Sequence, residues 1–148
     1  MSLRPRSATD AGAPGDVGTA SAGERFARAL AAKDADALCA LLADQVDFQA
    51  LTPGRHWQAD TAGQAVREII LARWFGEGDD ITELCSVAAG RVLDREHVAY
   101  RVRVRRSDRD HLVEQQAYYS TEGGRITWMR VLCSGYQPVQ QESPAAPG

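Results

Sequence analysis

The stretch Glu96-His-Val-Ala-Tyr-Arg-Val-Arg-Val-Arg-Arg-Ser107 decides the fold. Val98, Tyr100, Val102 and Val104 fall on one face, and Ala99, Arg101, Arg103 and Arg105 on the other. A strict period of two describes a half-buried strand with one wall in a core. Two more strands follow it. Ser107 to Asp110 forms a turn into a strand over 111–121, and Glu122-Gly-Gly-Arg125 forms a tight hairpin, its glycines supplying positive φ, into a strand over 126–135. A long strand over 81–93 precedes them, with Ala88-Ala-Gly90 as a bend or bulge.

Upstream the pattern is helical. Ser21-Ala-Gly-Glu24 reads as a capping box opening a helix with Phe26, Ala27, Leu30 and Ala31 on one face. Asp34 or Asp36 caps a second helix carrying Leu38, Leu41 and Leu42, and the short link makes the two a hairpin. Val46, Phe48 and Ala50 alternate as a first strand, which Thr52-Pro-Gly54 ends. Thr61-Ala-Gly-Gln64 is a second capping box, opening a helix with Val66, Ile69, Ile70 and Trp74 on one face and ending near Gly76 or Gly78. The order α-α-β-α-β-β-β-β predicts an α+β fold with three helices against one curved antiparallel sheet.

The 148 residues suffice for one domain, expected over 21–137. Segments 1–20 and 138–148 are too poor in apolar residues to offset ordering entropy and are expected to be disordered. A net charge of −3 argues against a nucleic-acid partner recruited by bulk charge. No apolar run is long enough to span a membrane, and no secretory signal is evident. Cys39, Cys85 and Cys133 are widely spaced and lack a C-x-x-C pair. They read as reduced, buried thiols of a cytoplasmic protein, and no metal or other cofactor is expected. Of the 17 basic residues only Lys33 is lysine, which fits a GC-rich bacterial genome.

The element order resembles the nuclear transport factor 2-like superfamily, which includes ketosteroid isomerases and SnoaL-like polyketide cyclases. The resemblance spans 22–137. It rests on Arg25-Phe-Ala-Arg-Ala-Leu-Ala-Ala-Lys-Asp34, Leu41-Leu-Ala-Asp44, Ala65-Val-Arg-Glu68 and Gly124-Arg-Ile-Thr-Trp-Met-Arg130. It implies a cone, a curved sheet wrapped round helices with a pocket at the wide end, and dimers joined through the outer sheet face. The steroid-isomerase positions for tyrosine, base and protonated acid fall on Phe26, Ala50 and Gln116, so that mechanism lacks its groups here. The Asp–Arg–Asp set of limonene-epoxide-hydrolase-like relatives has no aspartate at the inward positions of the last three strands.

Periodicity fixes the inward face of 97–105 but not of 111–121. The resemblance puts Gln116 and Tyr118 inside, and Glu114 and Ser120 with them, followed by Thr127, Met129, Val131 and Cys133. The expected ligand pocket is Phe26, Trp57, Trp74, Tyr100, Val102, Gln116, Tyr118, Met129 and Val131. Candidate acid–base groups are Glu114 on a pocket strand and His56 with Asp60 in a loop over the mouth. The outer face would carry Arg101, Arg103, Tyr119, Trp128 and Arg130, either as a solvated surface or as a homodimer interface. Three functions remain open: a binder of an apolar or aromatic metabolite, a cofactor-free cyclase, isomerase or hydrolase of polyketide-, terpenoid- or steroid-like substrates, and a dimerising accessory domain.

Overall fold

A computed structural model describes residues 20–139. The expected tails therefore lie outside the described residues, except Ala20, Pro138 and Val139. Helix α1 (Ala22–Ala31) opens with the capping box: Ser21 Oγ accepts from Glu24 N at 3.1 Å, and Glu24 Oε1 accepts from Ser21 N at 3.1 Å. Helix α2 (Ala35–Leu41) is capped by Asp34. Lys33, at φ 52°, turns the chain between them in the left-handed region.

Strand β1 (Leu42–Thr52) runs straight out of α2 and turns at Pro53-Gly54 into β2 (Arg55–Thr61). Strand β2 replaces the expected mouth loop. Helix α3 (Gln64–Trp74) follows, wound with π rather than α hydrogen bonding, and Phe75 N closes it on Ile70 O at 2.8 Å. Its cap is half of the expected box. Gln64 N bonds Thr61 Oγ1, but the Gln64 side chain reaches Asp60 N instead of the Thr61 backbone.

The remainder is a meander: β3 (Asp79–Val92), β4 (Arg95–Arg106), β5 (Arg109–Glu122), β6 (Arg125–Cys133) and a short β7 (Gln137–Pro138). The sheet order is β2-β1-β6-β5-β4-β3, with β7 on β5. It is a curved, unclosed, mixed sheet, because β1 runs parallel to β6. The bulges of β3 lie between Ile81 and Glu83 and between Leu84 and Ser86, not at Ala88–Gly90, which pairs regularly with β4. Pro138, expected in the tail, pairs with His111.

The core lies between the helices and the inner sheet face. Phe26, Leu30, Leu38 and Ile70 meet Phe48, Val98, Tyr100, Val102, Val104 and Met129, all buried. The alternation of β4 is as the sequence demands. On β5 the parity is reversed: Val113, Gln115, Ala117 and Tyr119 are buried, while Glu114, Gln116 and Tyr118 are exposed. A shift of one residue moves every side chain of a strand to the other face.

Candidate functional site

The end of the cone where α3 stops holds a cavity of about 160 Å³. Thr52 from the end of β1, Trp57 from β2, Arg73, Trp74 and Phe75 from the end of α3, Val113 and Gln115 from β5, and Cys133 and Tyr136 line it. The wide turn of α3 brings Trp74 there. Buried pairs recur as Ala65/Val66, Ile69/Ile70 and Trp74/Phe75, four to five residues apart, a longer repeat than the 3.6 of an α-helix. Trp74 packs on Phe48, with ring centroids 6.0 Å apart, and edge-on to Trp57 at 6.3 Å.

Two nitrogens of lining residues, both enclosed by neighbouring atoms, have no hydrogen-bond partner, Trp74 Nε1 and Gln115 Nε2. Their residues are 5% and 1% exposed. The Tyr100 hydroxyl donates to Gln115 Oε1 at 2.5 Å, which fixes the amide. Turning the amide over would leave both the phenol hydrogen and the amide oxygen without partners. Burial pushes the Tyr100 phenol far up, so it stays a donor. The Trp57 indole differs from that of Trp74, since its Nε1 donates to Thr52 Oγ1 at 2.8 Å. Leaving a buried donor unmade costs about 1–3 kcal/mol, so these two groups subtract from the stability of the fold.

The rim is cationic. Arg106 lines the cavity and donates to both carboxylate oxygens of Asp79, at 2.6 and 3.0 Å, with its guanidinium carbon 3.6 Å from the Tyr136 ring centroid. The same guanidinium holds the Asp79 carboxyl below its ordinary range. Tyr136 donates to Trp74 O at 2.7 Å, tying the chain after β6 to the end of α3. Arg73 and Arg55 sit against the Trp57 ring, at 5.3 and 3.7 Å from its centroid. Neither pairs with a carboxylate among the described residues.

Of the residues expected in the pocket, Trp57 and Trp74 line this cavity. Phe26, Tyr100, Val102, Met129 and Val131 are buried in the core around it. Gln116 and Tyr118 are on the outer face, as is Glu114, which pairs with Arg101 at 3.1 Å. The inward amide is thus Gln115, one residue before the position indicated by the resemblance. The more apolar parity of β5 (Val113, Ala117, Tyr119) carried that signal.

His56 and Asp60 share the exposed side of β2, about 13 Å apart along a strand, too far to pair. His56 contacts Gln49 instead. Tyr119, expected outside, is buried and accepts from Gly23 N at 2.7 Å. Cys85, expected buried, is exposed at a bulge of β3, while Cys39 and Cys133 are half-buried. Gln115, Arg73, Phe75, Arg106 and Tyr136 are lining residues that the sequence did not single out. Among the described residues no three His, Cys, Asp or Glu side chains converge as a metal site would require.

The outer face has a groove of its own, about 260 Å³, over β2, β1, β6 and β5. Cross-strand pairing lays His56, Leu51, Leu132 and Gln116 in one row. Gln49, Arg130 and Tyr118 form the next. Leu51, Tyr118 and Leu132 are 51%, 39% and 59% exposed. The expected arginines lie toward β4, where Arg101 pairs with Glu114, and Arg103 and Arg105 with Asp110. Trp128 lies between Arg95 and Arg130, at 3.8 and 4.4 Å.

No protein-family model matches the chain, and no curated protein matches it. Solved structures do. A protein designated an isomerase from Rhodopseudomonas palustris superposes with a TM-score of 0.60 at 20% identity, covering 79% of this chain and 92% of that one. An LEH-like epoxide hydrolase of M. tuberculosis gives 0.57 at 16% identity, over 76% and 80% of the two chains. An NTF2-like protein of Burkholderia thailandensis gives 0.58 at 18% identity, over 76% and 88%. Identities this low speak for architecture alone, and with the helices, the sheet order and the cavity at the cone's end they agree on one: the chain has the nuclear transport factor 2-like fold.

Proposed function

We propose that the chain binds a small apolar or aromatic molecule in the cavity at the end of α3. The carrying observation is the set of rings in its lining, Trp57, Trp74, Phe75 and Tyr136. Aromatic faces supply contact area for such a ligand. Besides its arginines, the titratable residues of the lining are Cys133 and Tyr136, and burial pushes the Tyr136 phenol up. This favours binding over the acid–base catalysis of a cyclase, isomerase or hydrolase. The free thiols support a reducing, cytoplasmic setting.

Acetophenone and ethylbenzene are single-ring probes of this reading. With the full chain, each should raise the melting temperature, since a ligand that binds only the folded state stabilises it by mass action. Cys133→Phe, which adds a ring to the lining, should still melt cooperatively and remove the rise. No rise with either probe in the natural chain, or an undiminished rise in the variant, would overturn the reading.

The accessory, dimerising role has its own support in the outer groove. Leu51, Tyr118 and Leu132 form an apolar patch rimmed by Gln49, Gln116, His56 and Arg130, the composition of an interface centre and its rim. We infer a homodimer through this part of the outer face, with the patch rather than the arginine stripe at its centre.

A further inference from the structure

The corner between α1 and α2 carries a residue that its backbone does not favour. Asp34 N donates to Ala29 O at 3.0 Å and Lys33 N to Leu30 O at 2.9 Å, the two bonds of a Schellman motif. The residue at its turning point, Lys33, has φ 52°, where glycine is the usual occupant. Glycine would turn this corner with less strain, so the lysine side chain has to be accounted for by its contacts.

Those contacts lie at the cavity wall. Lys33 Nζ donates to Gly76 O and Asp79 O, both at 2.6 Å. Gly76 and Asp79 also bond each other twice: Asp79 N donates to Gly76 O at 3.0 Å, and Gly76 N to Asp79 Oδ2 at 2.9 Å. The ammonium thus closes a turn that begins one residue after Phe75. From Asp79 the contacts run on to Arg106, across to the Tyr136 ring, and from the Tyr136 hydroxyl to Trp74 O. The Phe75 and Tyr136 rings are 6.2 Å apart. Arg106, Tyr136, Trp74 and Phe75 all line the cavity. The contacts form a closed circuit that leaves Lys33 through Asp79, passes these four residues and returns through Gly76.

We propose that Lys33 is a positioning residue for the cavity. Its ammonium holds the turn after α3, and with it the Trp74 and Phe75 rings, so that closing the circuit and filling the cavity favour each other. The ligand arm of this inference rests on the binding reading above. Coupling of this kind is reciprocal: what Lys33 does for the ligand, the ligand does for Lys33.

Lys33 is the only lysine of the chain, so an amine-specific acetylating reagent reads a single side chain. The probe is the acetyl ester of N-hydroxysuccinimide, which transfers its acetyl group to a free amine and releases N-hydroxysuccinimide. An ammonium held by two carbonyls must leave them before it is acylated. The labelling rate of the folded full chain, relative to the denatured one, therefore measures opening of the contact. Tyr136→Phe cuts the circuit on its far side and should speed Lys33 labelling about fivefold, with melting still cooperative. Acetophenone, at a concentration that raises the melting temperature, should slow labelling of the natural chain by about the same factor. In the reverse direction, Lys33→Gly suits the left-handed corner but has no ammonium. It should bind acetophenone about three- to tenfold more weakly in a calorimetric titration. A lysine that merely turned the corner would predict undiminished affinity, because glycine does that better.

Unchanged labelling in Tyr136→Phe, or undiminished affinity in Lys33→Gly, overturns the inference. Acetophenone that raises the melting temperature without slowing the labelling also overturns it, and leaves the binding reading intact. Acetophenone that does neither overturns the binding reading, while faster labelling in Tyr136→Phe would still uphold the hold of Lys33 on the wall.

Discussion

Gly23 lies in the first turn of α1, where any Cβ would sit 2.7 Å from both the Tyr119 hydroxyl and Val98 Cβ. Only a bare backbone lets Gly23 N approach that hydroxyl to 2.7 Å, and this bond fastens the helix start to β5. Gly23→Ala should cost about 1–3 kcal/mol by overpacking. Tyr119→Phe should cost about 1–2 kcal/mol by orphaning a buried N–H. Combined, they should cost less than the sum, because both remove one bond. Urea denaturation of the three variants measures this, and strict additivity would disprove the shared contact. Nothing in the sequence pairs residues 23 and 119. The resemblance instead places Tyr119 on the outer face. The opposite holds for Phe26 and Val102, whose burial follows directly from periodicity.

At the scale of elements, the link from α3 to β3 is held from several sides. Lys33 Nζ donates to Gly76 O and Asp79 O, both at 2.6 Å, Gly76 N donates to Asp79 Oδ2 at 2.9 Å, and Arg106 grips the Asp79 carboxylate. The sole lysine thus ties the helical hairpin to the cavity rim. The Asp79 side chain is 10% exposed and that of Arg106 is 40% exposed, so the pair is worth less than a fully buried one. Asp79→Asn should lower stability by about 2 kcal/mol.

The sign with pH follows from the depressed carboxyl. Its contribution is fully present above the ordinary value of 3.8 and is lost as pH falls through the lower folded value. The natural chain should therefore lose stability relative to Asp79→Asn only below about pH 4. Acid denaturation curves of equal steepness in the two proteins would refute the role. This link was invisible in sequence because its partners come from two connections and two strands. Two other elements were partly legible. The four-to-five spacing of buried residues marks α3 as wider than an α-helix. The two parities of β5 differ by little, since Gln occurs in both, so that strand's face was open to a one-residue error and the site shifted from Gln116 to Gln115.

At the scale of the whole molecule, the outer groove should bring two copies together. The natural chain should sediment as a dimer, and Leu132→Glu, which places a charge in the centre of the patch, should sediment as a monomer with its melting transition still cooperative. A monomeric natural chain at tens of micromolar would remove the dimer from consideration. The architecture itself was readable from the order of elements, because helices and alternating strands in separate blocks admit few arrangements. What the order did not disclose was the join between β1 and β6. That join has a temporal consequence. Strands β3 to β6 pair with sequence neighbours and can assemble early, and so can the β1–β2 hairpin. The parallel seam, however, brings Asp47 to Trp128 across about 80 residues. Closure of that long loop should therefore be the slow step in assembling the molecule, and a sheet that has not yet closed would leave a bare edge on β6, open to any other strand that reaches it first.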